Sequence, residues 1–165
     1  MLHEMEVSGL ALDPSSNTPI LILKSSDGEH TLPIWIGLLE AASIAMALQN
    51  VEFGRPMTHD LFKNFMDTME VNLERIEVCD LKDNTYFARL YLESANGAFS
   101  MDARPSDAIA MALRCKARIL AEEEVITKSA SLHEPGEAED QSEEGKKWAE
   151  YLEGLSPEDF GKYKM

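Results

Sequence analysis

The sequence predicts an α+β fold: a twisted, largely antiparallel sheet built from two hairpin units and covered by helices. Three observations predict it. β-rich hairpin patterns occur twice in the first hundred residues, and an apolar helical pattern follows each. The pentapeptide IAMAL also occurs twice, at 44–48 and 109–113, each time after a hairpin and a further extended segment. Duplicated spacing of this kind suits two helices lying on one sheet.

The opening EMEVSGLALDP reads as a strand, and TPILILKSSDGEHTLPIWI as two β-rich runs joined by a turn at Asp27-Gly28. In LLEAASIAMALQN, Ala41, Ile44, Ala45 and Leu48 fall at spacings of three and four, which predicts an amphipathic helix with a small-residue stripe. Gly54 and Pro56 break the chain before a second helix, for which Thr58 is the expected N-cap and Phe62, Phe65, Met66 and Met69 the expected buried face. Residues 71–80 and 86–93 alternate as a second hairpin around LKDNT, and AFSMDA is a further strand. Pro105 then opens a third helix whose inward face is Ala108, Ile109, Ala112 and Leu113. ARIL reads as a short strand and AEEEVITKS as a short helix or turn.

These elements predict a core domain at 1–128, an acidic linker at 129–142 and a helical tail at 143–165. In the tail Trp148, Leu152 and Leu155 share one helical face, expected to dock on the core or a neighbouring subunit. The sequence carries no basic-then-apolar leader, and its longest apolar stretch contains Glu40, Pro33 and Ser43, so we expect a cytoplasmic chain without a membrane partner. Cys79 and Cys115 lack metal-ligand spacing and read as free, mostly buried thiols.

Charge constrains function. The chain has a formal net charge of -15, and residues 1–129 carry 20 acidic against 11 basic side chains. Proteins that hold a phosphate backbone draw affinity from releasing its counterions through Lys and Arg, so any nucleic-acid contact here must be local or metal-assisted. A Gly-rich phosphate loop, a G-x-S-x-G elbow, C-x-x-C and H-E-x-x-H are all absent.

Two mixed-charge clusters remain. DARPSDAIAMALR (102–114) places Asp102 and Arg104 before a helix and Asp107 and Arg114 on one face of it. Carboxylates there could hold a divalent metal while arginines steady a phosphate; equally, the segment is good helix-start chemistry with an Arg–Asp pair. GRPMTHDL (54–61) sets Arg55, His59 and Asp60 together, as a base, an acid and a guanidinium, or as an ordinary capped helix start. Glu40 has the same two readings.

With both Arg-Pro motifs in view, the chain resembles the bifunctional nuclease domain family. The matching segments are LPIWIGLLEAASIA (32–45), RPMTHDL (55–61), YFARLYL (86–92) and DARPSDAIAMALR (102–114). The resemblance implies an α+β domain, a homodimer or higher homo-oligomer, nuclease activity on DNA and RNA, and family-like polar positions at Glu40, Arg55, Thr58, His59, Asp60, Asp102, Arg104, Ser106, Asp107 and Arg114. The expected function is a phosphodiesterase of low sequence specificity, assisted by Mg²⁺ or Mn²⁺. In it, His59, Asp60 and Asp107 are catalytic, Arg55, Arg104 and Arg114 bind substrate, and Asp102 and Asp107 are metal-side carboxylates. The alternatives are a non-catalytic binding or assembly module and a small-anion sensor.

Overall fold

A computed structural model describes residues 1–132. Its first unit is an antiparallel meander, β1 (Leu2–Leu12), β2 (Pro19–Ser25) and β3 (Thr31–Trp35), followed by α1 (Leu38–Leu48). After α2 (Thr58–Thr68), a second meander repeats the plan with β4 (Asn72–Lys82), β5 (Thr85–Ser94) and β6 (Gly97–Ala103), followed by α3 (Pro105–Cys115). Then β7 (Arg118–Glu122) enters between the two meanders, antiparallel to β1 and parallel to β4, before α4 (Glu123–Leu132). The strand order is β3-β2-β1-β7-β4-β5-β6. The two IAMAL helices, α1 and α3, pack against each other, each behind its own meander.

Alternation builds the core. On β5, Ala88, Leu90 and Leu92 are buried, and they join Ile76 and Val78 of β4, Leu21 and Leu23 of β2, and Ile109 and Met111 of α3 in one apolar cluster. Small residues on α1 and α3 (Ala41, Ala45, Ala108, Ala112) are buried almost completely, which lets the two helix backbones approach. No helix among the described residues is long and apolar enough to cross a membrane.

Several local expectations need correction. The second hairpin is tighter than expected: β4 and β5 run on to Lys82 and Thr85 and are joined by Asp83 and Asn84, both at positive φ. Asp and Asn tolerate that region, and a two-residue loop of this form matches the strand twist. Helix α2 begins one residue earlier in capping terms, with Met57 as N-cap and Thr58 as the first helical residue; Asp60 supplies the cap by accepting from the Met57 N–H at 3.1 Å. Its buried face is also narrower. Met66 is buried and Phe62 half-buried, but Phe65 and Met69 are 58% and 57% exposed, because α2 is an outer helix packed chiefly on α3. Leu48, expected inside, is exposed at the end of α1.

Both cysteines are free and half-buried, and burial raises both thiol pKa values. Ser129, at the expected start of the linker, is buried within α4 and hydrogen-bonded to the Tyr86 hydroxyl at 2.8 Å. The rest of the linker beyond Leu132, and the tail with Trp148 and Leu152, lie outside the described residues.

One carboxylate organises the β1–β2 turn. Asp13 accepts from Trp35 Nε1 at 2.8 Å and from the Ser15 N–H and hydroxyl at 2.9 and 2.7 Å. Hydrogen bonds from Ser15 and Trp35 hold its carboxyl well below the ordinary carboxylate range. We expect Asp13→Ala to lower unfolding free energy by ~1–2 kcal/mol in urea titrations, since it removes the carboxylate that accepts from Trp35 and the turn donors together.

Candidate functional site

The two mixed-charge clusters, 48 residues apart in sequence, meet in space. The Pro105 ring starts α3 with fixed φ, and Asp107 lands in its first turn, where a carboxylate complements the helix dipole. Asp107 Oδ1 lies 3.0 Å from His59 Nε2, and Oδ2 accepts from Arg104 Nε at 2.8 Å. Arg104 is itself the N-cap of α3, and its Nη1 donates to Glu40 Oε1 on α1 at 2.9 Å. On the other side of the imidazole, His59 Nδ1 is 2.7 Å from Ser43 Oγ of α1.

The chain of contacts continues inward. Arg114 Nη2 donates to both the carbonyl and the hydroxyl of Ser43 at 3.2 Å, Nη1 donates to the Ala110 carbonyl at 3.0 Å, and Nε donates to Asp60 at 2.7 Å. One polar network therefore ties α1, α2 and α3 together through Glu40, Ser43, His59, Asp60, Arg104, Asp107 and Arg114. Its exposure is graded. The Arg114 side chain is 8% exposed and His59 18%, whereas Asp107 is 34% and Arg104 65% exposed. Arg104 and Asp107 lie outermost, at the mouth of the network, and Ser43 and Arg114 lie beneath them.

Burial raises the Asp107 pKa, but hydrogen bonds and charge from Arg104 and His59 outweigh it, so the carboxyl lies below its ordinary value. An ionised Asp107 requires a proton on His59 Nε2, and a neutral ring then accepts the Ser43 hydroxyl proton at Nδ1. Because its folded value is depressed, Asp107 contributes stability above the unfolded carboxylate value near pH ~4, and that contribution is lost as pH falls through the lower folded value. Thermal melts of wild type from pH 7 downward should show the loss below about pH 4, and Asp107→Asn should flatten that part of the profile.

The other expected site residues sit differently. Arg55 is exposed in the loop before α2 and makes no hydrogen bond or ion pair among the described residues, so its guanidinium is free for an anion. Asp102 is exposed on β6, opposite Arg89 in register, and does not join the network. No group of three or more His, Cys, Asp or Glu able to hold a metal ion occurs among the described residues. Asp107 has each oxygen on a cation or imidazole, and Glu40 and Asp60 each face an arginine, so the donor set does not fit the expected divalent ion. Arg114, expected to bind substrate, has every guanidinium nitrogen on a protein oxygen.

Sequence reasoning missed Ser43. A serine inside an alanine-rich helix reads as packing, and its only signal is that it lies on the stripe-bearing helix, three residues after Glu40.

Comparison with known proteins gives this geometry a context. The family profile described as the bifunctional nuclease domain matches residues 21–134, which include every residue of the network. An uncharacterised protein of Mycobacterium tuberculosis is 36% identical over 165 residues, covering 96% of this chain and 98% of its own. Bifunctional nuclease 1 of Arabidopsis thaliana is 34% identical over 102 residues, 59% of this chain and 31% of the relative. Bifunctional nuclease 2 of Oryza sativa subsp. japonica is 30% identical over 115 residues, 67% of this chain and 35% of the relative.

Proposed function

The chain belongs to the bifunctional nuclease domain family, and from that premise we propose that it is a phosphodiesterase of low sequence specificity acting on RNA and DNA, with its centre at the start of α3. The observation that carries this reading is the histidine held between Asp107 and Ser43 beside the exposed Arg104, with Arg55 exposed in the loop four residues before the histidine. Proton transfer and anion neutralisation are what hydrolysis of a phosphodiester demands.

In the proposed mechanism, Arg104 and Arg55 take the non-bridging phosphate oxygens, and the dipole of α3 adds to the positive potential there. In its cationic form His59 donates from Nδ1 to Ser43 Oγ, and the leaving ester oxygen displaces Asp107 Oδ1 as acceptor of the Nε2 proton, which transfers to it as water attacks phosphorus. One P–O bond forms and one breaks; the attacking water, in line with the leaving oxygen on the far side of phosphorus, gives its proton to solvent, and solvent restores the proton on Nε2. Asp107 holds Nε2 until substrate takes its place and stabilises the charge of the ring, and Ser43 fixes the ring from the other side through Nδ1. Arg114 and Asp60 act beneath the site as a clamp between α2 and α3. No step is routed through a metal ion, because the carboxylates are already matched by cations. The acidic balance of the chain fits this design: two exposed arginines offer a local anion site and no extended basic track, so contacts to bases contribute little and sequence preference is weak.

The closed pairing of charges also favours a second reading, a non-catalytic assembly module in which the network only fastens three helices. Labelled single-stranded DNA, duplex DNA and RNA, incubated with Mg²⁺, Mn²⁺ or chelator, separate the two. The nuclease reading expects wild type to cut in chelator and Asp107→Asn from the same purification to lose the activity. Equal cutting by both proteins, or none by wild type under any condition, with a lowered melting temperature in Asp107→Asn, would support the assembly reading.

A further inference from the structure

We propose that the free edge of β6 pairs antiparallel with β6 of a second copy of this chain, about a two-fold axis at Ser100, so that the two sheets become one. Among the described residues, β6 has β5 on one side and no strand on the other. An open edge presents a row of backbone donors and acceptors, and sheets protect such edges with proline, lysine, bulges or a covering element. The opposite edge is protected in this way: β3 carries Pro33 and has α4 packed against it. By contrast, β6 reads GAFSMDA, with neither proline nor lysine, and pairs with β5 over its whole length without a register shift.

Apolar side chains mark the same edge. Cross-strand partners share a face, and Phe99 and Met101 stand opposite Leu92 and Leu90, both buried in the core. Yet Phe99 is 45% and Met101 43% exposed. Among the described residues, the core face therefore runs out to the last strand and ends there without a covering element. Stable self-association uses an apolar centre of this kind.

The sequence of β6 is complementary to itself about Ser100. An axis at Ser100 sets Phe99 against Met101 of the second copy, covering apolar with apolar on the helix-bearing face. It sets Asp102 against Ala98, which keeps the one acidic residue of the strand away from its own image and beside Arg89 of its own β5. An axis at Asp102 would oppose two carboxylates directly, which is unfavourable. In a chain of net charge -15, self-association has to run through a surface this poor in charge. Because Ala103 leads directly into Arg104, the pairing would also hold the two α3 starts on a common sheet, with the two Ala103 positions about 20 Å apart along the seam. The proposal stands on the sheet edge alone and is independent of the nuclease reading.

Sedimentation and disulfide trapping of the full chain test it. Wild type should sediment at twice its 18.4 kDa mass at micromolar concentration, and Phe99→Lys combined with Met101→Lys should sediment as a folded monomer. Ser100→Cys should form a covalent dimer under mild oxidation, because facing Cα atoms in antiparallel pairs lie about 4.5–5.5 Å apart, within disulfide reach. Ala98→Cys, displaced from its own image by four residues, should not, and wild type with its half-buried Cys79 and Cys115 is the blank. A monomeric wild type would overturn the proposal, as would a dimer that survives the double lysine substitution or one in which Ser100→Cys fails to cross-link. The trapping readout stands even if the lysine variant does not fold.

Discussion

Replacing Arg114 with alanine should produce the largest loss of stability of any single polar substitution, about 3 kcal/mol in denaturant titrations. The guanidinium is 8% exposed and spans three helices. It joins Asp60 of α2, the Ala110 carbonyl of α3, and both oxygens of Ser43 on α1. Truncation leaves a cavity at that junction and removes the cation facing Asp60, whose side chain is 32% exposed and so recovers part of its hydration. That partial exposure sets the estimate at the low end of the range for a broken buried pair. Arg114→Lys should recover little, because one ammonium on a flexible stem cannot reproduce the fork that reaches four acceptor atoms on three residues. A loss under about 1 kcal/mol for Arg114→Ala would mean that the network is decoration on a core already stable without it.

The largest effect on activity is expected from His59→Ala, a fall of roughly 10²- to 10⁴-fold in kcat/KM on RNA or single-stranded DNA, the usual weight of a positioned proton-transfer group. Stability should fall much less than in Arg114→Ala. Removing the imidazole leaves Asp107 with Arg104 still bonded to Oδ2, and leaves Ser43 with Arg114. The two variants therefore separate the roles assigned within one network: Arg114 beneath the site holds the helices, and His59 nearer the mouth moves the proton.

Much of the fold is legible in local sequence, because hairpins and amphipathic helices are written in near neighbours. The Asp27-Gly28 turn, the Pro105 helix start and the paired IAMAL helices all appear where their residues put them. What escaped was set by contacts between distant segments. Phe65 and Met69 have the spacing of a buried face, yet stay exposed because α2 lies outside α3. The placement of β7 between the two meanders also has no signature in residues 118–122 themselves, since it depends on pairing with β1 and β4.

The site divides along the same line. His59, Asp107, Arg104 and Asp60 stood out because charged residues cluster at two helix starts, although spacing alone could not bring the clusters together. Ser43 was invisible because a hydroxyl among alanines acquires meaning only when His59 and Arg114 arrive from 16 and 71 residues away. Asp102 shows the converse. Its place two residues before Arg104 suggested a metal-side carboxylate, and the β5 register sets it opposite Arg89, outside the network.

Chemical rescue tests the central claim most directly. Cleavage of labelled RNA by wild type, His59→Ala and Asp107→Asn would be measured in chelator, with increasing imidazole in the buffer. If His59 is the proton-transfer group of this centre, His59→Ala is nearly inactive and regains cleavage in proportion to added imidazole, while Asp107→Asn gains nothing. Undiminished cleavage by His59→Ala would contradict the account, and the network around His59 would then be a fastening between helices and not a catalytic centre.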